Sequence, residues 1–218
     1  MLRVKICGIT SLAEAQLVAR CGADAIGFLV GQRHRAADFL APDTAREIVL
    51  KLPPFITPVL VTHFENPEEV LSIAEKIPCP VLQLHSDLTP AALKKMRDLL
   101  SPKKIIGKVS VQGESALTRA REIEGVVDAI ILDSIDPSTG RVGGTGLVHD
   151  WSLSSRIVTA SKVPVILAGG LKPENVGEAV RRVRPWAVDV NSGVEDIDRR
   201  KDEERVRRFI ESAKTQRH

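Results

Sequence analysis

Two strand ends in this sequence carry the residue types that proton transfer needs: Cys7 behind the run RVKI, and Asp133 closing the run AIILD. A free thiol titrates near 8.5 and an aspartic acid near 3.9, so their surroundings decide whether they exchange protons near neutrality. A third feature is the glycine pair Gly169-Gly170 after VPVILA, with a helix opening expected at Pro173. The strand beginning at Ala187 ends similarly, in Asn191-Ser192-Gly193. Backbone N–H groups freed of side chains and backed by the positive end of a helix suit a phosphate group. A thiol, a carboxylate and a phosphate cradle point to acid/base chemistry on a small phosphorylated substrate such as a sugar phosphate.

Something must bring these groups together, and the chain has the pattern for it. Eight runs rich in Val, Ile and Leu begin near Arg3, Ala25, Thr57, Val81, Ile105, Ala129, Pro164 and Ala187, each followed by a helical pattern. Runs such as AIGFLV and AIILD are apolar without alternation, as strands buried on both faces are. Helix starts are marked by Ser11, by Pro42-Asp43, by Asn66-Pro67 and by Thr89-Pro90. A last helix over 201–213 puts Val206, Phe209, Ile210 and Ala213 on one face, and its run RRKDEERVRR reads as a solvated, ion-paired surface. The expected fold is α/β, a single (βα)8 TIM barrel forming one domain over residues 1–218. In that fold chemistry gathers at the C-terminal strand ends, which adds the loop 31–38, His63 and His85 to the candidates. Lys5 is assigned no role, Asp189 is read as an interior polar residue with ion pairing, and Cys21 and Cys79 as small buried hydrophobes.

Composition narrows the partners. The 218 residues carry 31 basic and 28 acidic side chains, a net charge of +3, which gives no case for a nucleic-acid or membrane surface. The absence of Tyr removes much of the stacking platform that single-stranded nucleic acid uses. No apolar run reaches the eighteen or so residues of a membrane span. Three cysteines at irregular spacing, with no CxxC and no signal peptide ahead of Cys7, place the chain in a reducing cytoplasm. Self-association is expected to stop at a monomer or a homodimer.

The motifs VKICGIT (4–10), GADAIGF (22–28), LQLHS (82–86), ILD (131–133), GGTG with HDW (143–151), LAGGLKPENV (167–176) and VDVNSGVE (188–195) occur in an order that resembles the phosphoribosylanthranilate isomerases of tryptophan biosynthesis. The resemblance implies an Amadori rearrangement without cofactor or metal. Asp133 would be the acid that opens the ribose ring, and Cys7 the base that removes the C2′ proton. It also implies that Gly144 and Gly146 join Gly169, Gly170, Asn191, Ser192 and Gly193 on the phosphate side. His85 is included among the substrate-binding residues.

The chain departs from that pattern after the second strand. The family's arginine for the anthranilate carboxylate falls, counting back from Pro42, on Asp38; counting forward, Arg33 or Arg35 takes the role. Either Asp38 points away from the substrate and one arginine folds inward, or Asp38 faces the pocket beside His34, His63 and His85. The second arrangement would be a ligand set for a metal and would favour a paralogous barrel acting on a different phosphorylated sugar or amine. A non-catalytic binding protein on the same scaffold is disfavoured by the presence of both Cys7 and Asp133.

Overall fold

The computed structural model describes residues 1–32, 38–134 and 150–216. Eight parallel strands close into a barrel in chain order: β1 (Arg3–Ile6), β2 (Ala25–Leu29), β3 (Thr57–Thr62), β4 (Val81–Leu84), β5 (Lys104–Ser110), β6 (Ala129–Asp133), β7 (Val165–Leu167) and β8 (Ala187–Val190). The helices between and after them are α1 (Leu12–Arg20), α2 (Pro42–Val49), α3 (Pro67–Lys76), α4 (Pro90–Leu100), α5 (Ser115–Ile123), α6 (Trp151–Ala160), α7 (Val176–Val183) and α8 (Glu203–Lys214). Lys5 pairs with Asp189 in register as β1 meets β8, which shuts the barrel.

The uniform apolarity of the strands is explained by two destinations. Alternate residues such as Val4, Ile6, Phe28, Leu60 and Ile130 join the large core beneath the helices. Those between them, including Val59, Val61, Ile106, Ile131, Ile166 and Ala187, fill the barrel interior together with Cys7. Both sets are buried, so the strands are apolar apart from interior polar residues such as Lys5, Gln83, Lys108 and Asp189. At the N-terminal strand ends two aspartates tie neighbouring units: Asp24 accepts from the Val4 N–H at 2.8 Å, and Asp128 from the Ile105 N–H at 2.9 Å.

Ser11, Asn66 and Thr89 cap α1, α3 and α4 through their side-chain oxygens, as the sequence indicates. Some boundaries differ, among them β5, which starts at Lys104 rather than Ile105. β7 starts at Val165 rather than Pro164, whose nitrogen has no proton for the ladder. α7 opens at Val176, because Asn175 first turns the chain by accepting from the Lys172 N–H and donating to the Gly170 carbonyl. α8 begins at Glu203 under an Asp202 cap, so Lys201 lies outside the helix. Lys201 forms an isolated bridge with Glu195, and its side chain is fully buried, unlike the solvated face expected for that run.

Candidate active site

The C-terminal strand ends hold two separate polar centres. Cys7 follows β1, its N–H bonded to the Val190 carbonyl at 2.8 Å, and its side chain is buried. One step deeper lies Lys5, whose Nζ stands 2.9 Å from Asp189 Oδ1 with both side chains nearly closed to solvent. The thiol and the lysine stem share the space above Gly27. A Cβ there would come within 2.6 Å of Cys7 Sγ and 3.1 Å of Lys5 Cε, so only glycine leaves room for both.

Charge follows from that packing. Burial pushes the Cys7 thiol up to about 11; the Lys5 and Lys201 ammonium groups pull it down, while Asp189 adds to the rise. Burial alone would lower Lys5, but Asp189 and Cys7 more than reverse this and raise it above its ordinary value. Lys5 is therefore a buried cation beside the sulfur. Strand alternation alone leaves open whether Lys5 points outward or into the barrel, and its partner lies 184 residues away.

The second centre is built on β4 and β6. Asp133 Oδ1 accepts from the Ser134 N–H at 2.7 Å, and Oδ2 lies 3.2 Å from His85 Nε2. His85 Nδ1 meets the Gln83 amide nitrogen at 3.0 Å. With the Gln83 amide in this orientation its nitrogen donates, Nδ1 accepts and Nε2 carries the proton facing Asp133; the opposite amide orientation goes with the other His85 tautomer. The His63 ring stands edge-on to His85, with centroids 5.1 Å apart and planes at 88°. Nearby, the fully buried Lys108 ammonium reaches Asp87 Oδ2 at 3.3 Å. The sequence signal for Gln83 and Lys108 is a polar residue interrupting the apolar runs VLQL and IIGKV.

The glycine turns border these centres. Gly169 and Gly170 have φ of +78° and +65°, and a Cβ on Gly169 would lie 2.2 Å from Ser134 Oγ. Gly193 has a further reason to be glycine, since a Cβ there would sit 2.0 Å from the Leu171 carbonyl oxygen. The loops after β7 and β8 thus pack directly on each other. No described residue accepts from the N–H of Gly170, Ser192 or Gly193, and Ser192–Val194 form a single 3-10 turn.

Asp38 does not join the histidines. Its Oδ2 accepts from Asn191 Nδ2 at 2.8 Å, on the β8 side of the mouth, so the arrangement beside His63 and His85 is not formed. Among the described residues no group of His, Cys, Asp and Glu has the arrangement to hold a metal ion. Arg33, His34, Arg35, Gly144 and Gly146 lie outside the described residues.

A closed parallel barrel with a buried thiol, a carboxylate–imidazole pair and glycine turns at its C-terminal strand ends has the make-up of a (βα)8-barrel enzyme. Residues 4–212 match the family of N-(5′-phosphoribosyl)anthranilate (PRA) isomerases, and the chain belongs to that family. It is 45% identical over 213 residues to N-(5′-phosphoribosyl)anthranilate isomerase 2 of Methanosarcina mazei, covering 98% of this chain and 94% of the relative. It superposes with a TM-score of 0.83 and 36% identity, covering 98% and 99% of the two chains, on a phosphoribosyl anthranilate isomerase in complex with reduced 1-(o-carboxyphenylamino)-1-deoxyribulose 5-phosphate. A third likeness, with a TM-score of 0.83, 33% identity and the same coverage, is to mutually generated monomers of the dimeric enzyme of Thermotoga maritima.

Proposed function

We propose that this chain isomerises N-(5′-phosphoribosyl)anthranilate to 1-(2-carboxyphenylamino)-1-deoxyribulose 5-phosphate, with Asp133 as acid and Cys7 as base. The observation that carries the reading is the pair of proton-handling centres at the barrel mouth, on β1 and β6, in a chain of this family.

Ring opening passes a proton from Asp133 to the furanose oxygen as the C1′–O bond breaks and the anilino nitrogen pushes its lone pair into an iminium. His85 holds Asp133 in place and restores its proton. A half-turn of the Gln83 amide would present Oε1 to a protonated Nδ1, so the His85–Asp133 pair has a support for either proton count. Cys7, having released its own proton to solvent as the iminium charge arrives, takes the C2′ proton as a thiolate, and the electron pair moves toward C1′ and neutralises the iminium. The enol that results ketonises by gaining a proton at C1′ and releasing the proton of its C2′ hydroxyl, leaving the 2-ketone. In the empty site burial keeps the thiol protonated; Lys5 and the arriving iminium are the positive charges that let it work as a base. The N–H groups of Gly170, Ser192 and Gly193 receive the phosphate, with Gly144, Gly146, Gly169 and Asn191 completing that side. Arg33 or Arg35 meets the ring carboxylate.

The same reading takes residues 1–218 as one domain, supported by strands that close the barrel from Arg3 to Val190. Among the described residues no helix is long and apolar enough to cross a membrane. Three free cysteines suit a reducing cytoplasm. A homodimer is supported by the dimeric Thermotoga relative and by apolar surface at the N-terminal strand ends, where Phe55 is 97% exposed and Trp186 borders a cleft of about 420 Å³. The test of function is complementation of a tryptophan auxotroph lacking this isomerase, with a purified-enzyme assay on phosphoribosylanthranilate. Growth and turnover are expected; failure of both would remove the reading.

A further inference from the structure

Asp38 is a carboxylate at the mouth of a site that must receive another carboxylate, and the structure gives it a different task. The Asn191 side chain lies between it and Lys201. Lys201 Nζ approaches Asn191 Oδ1 at 2.7 Å and the Asn191 carbonyl at 3.2 Å. An ammonium has only donors, so Oδ1 must face it, and Nδ2 is thereby turned toward Asp38 Oδ2 at 2.8 Å. Gly8 leaves space for this side chain, since a Cβ there would stand 2.3 Å from Asn191 Oδ1.

The far end of this chain of bonds is fixed. Lys201 Nζ also meets Glu195 Oε1 at 2.8 Å, and the Lys201 N–H donates to Glu14 Oε1 at 3.0 Å. Glu14 Oε2 in turn accepts from the N–H and hydroxyl of Thr10 in the loop after β1. Beyond Asp38 the chain is pinned as well: Leu40 N–H donates to the Leu29 carbonyl at 2.9 Å. Asp38 is thus a fixed point where the segment carrying Arg33 and Arg35 rejoins the barrel.

We propose that Asp38, Asn191 and Lys201 form a latch that ties the chain entering α2 to the end of β8, making Asn191 and Asp38 positioning residues for recognition of the substrate's ring carboxylate. Asn191 directly precedes Ser192 and Gly193, so one side chain links the loop assigned to the carboxylate with the turn assigned to the phosphate. The link fixes the spacing between the two anionic ends of the substrate. A carboxylate at position 38 is tolerated because its charge is engaged by Asn191 and directed away from the ligand. The inference rests on the isomerase reading.

The experiment compares wild type, Asp38→Ala and Asp38→Asn. Turnover of phosphoribosylanthranilate gives kcat and KM; calorimetry gives Kd for reduced 1-(o-carboxyphenylamino)-1-deoxyribulose 5-phosphate and for the same compound without its ring carboxylate. Asp38→Ala is expected to raise KM, and Kd for the carboxylated ligand, by about tenfold to a hundredfold, the effect of one charge-assisted hydrogen bond. Its kcat and its affinity for the ligand without the carboxylate should stay near wild type. Asp38→Asn keeps an oxygen facing Nδ2 and should recover most of the loss. Unchanged KM and Kd in Asp38→Ala, or equal losses for both ligands, would overturn the latch. Wild-type enzyme that neither turns over phosphoribosylanthranilate nor distinguishes the two ligands would overturn the isomerase reading instead.

Discussion

The β1 side and the β6 side of the barrel mouth both handle protons in the proposed reaction, yet they are built differently. Asp133 is bonded at both oxygens before any substrate arrives, with His85 aligned by Gln83. Cys7 instead is a thiol whose burial holds its proton up to about 11, next to a cation whose own charge depends on Asp189. The acid side is aligned in the empty enzyme, and because both oxygens accept hydrogen bonds it must take up a proton through His85 before it can act. The base side waits for positive charge to appear on the substrate, which keeps a nucleophilic thiolate out of the resting site.

The strongest way to break this comparison is to remove each group. Cys7→Ala and Asp133→Asn should each lower kcat by about two to four orders of magnitude with the fold intact, read by steady-state turnover and circular dichroism. Lys5→Met comes next. Losing the neighbouring cation should raise the Cys7 thiol further and cut turnover by about tenfold to a hundredfold at neutral pH, with the rate recovering as pH rises. Alkylation of Cys7 against pH, in a Cys21→Ser background, reports the thiol itself; an unchanged profile in Lys5→Met would detach Lys5 from the base. Because that variant leaves Asp189 buried without its partner, Lys5→Met with Asp189→Leu serves as the folded control.

How much of this was legible in sequence depends on the distance between partners. Strand positions, three helix caps and the strand-end location of Cys7, His85 and Asp133 come from local patterns of two to four residues, and the sequence carries them. Lys5–Asp189 and Asp38–Asn191 join residues 184 and 153 apart. No spacing rule reports such pairs. Lys201 looked solvated because its neighbours are charged, yet Asn191 and Glu195 draw it inside. The sequence suggests the Gly193 N–H as the reason for the glycine, while the Leu171 carbonyl gives it a steric reason.

Smaller effects sharpen the contrast. Inorganic phosphate should inhibit competitively, and Gly170→Ala should weaken that inhibition, since φ of +65° costs a side chain about 1 kcal/mol or more. Equal inhibition of both forms would move the phosphate elsewhere. The buried thiols also shape alkaline stability. Burial raises Cys79 to about 12 and Cys7 to about 11, so the folded state keeps protons that the unfolded chain releases near 9. Their contribution is complete below 9 and is lost as pH climbs toward 11 and 12. Denaturant midpoints should therefore fall over that window in wild type and fall less in Cys79→Ala; parallel curves would contradict it.

The division of labour is tested most directly by the isotope effect on turnover of substrate deuterated at C2′, compared between Cys7→Ala and Asp133→Asn. With its base removed, Cys7→Ala should be limited by C2′–H cleavage and display a full primary isotope effect. Asp133→Asn should be limited by ring opening and display none. A normal rate in Cys7→Ala, or the reverse pattern of isotope effects, would contradict the assignment of Cys7 as base and Asp133 as acid.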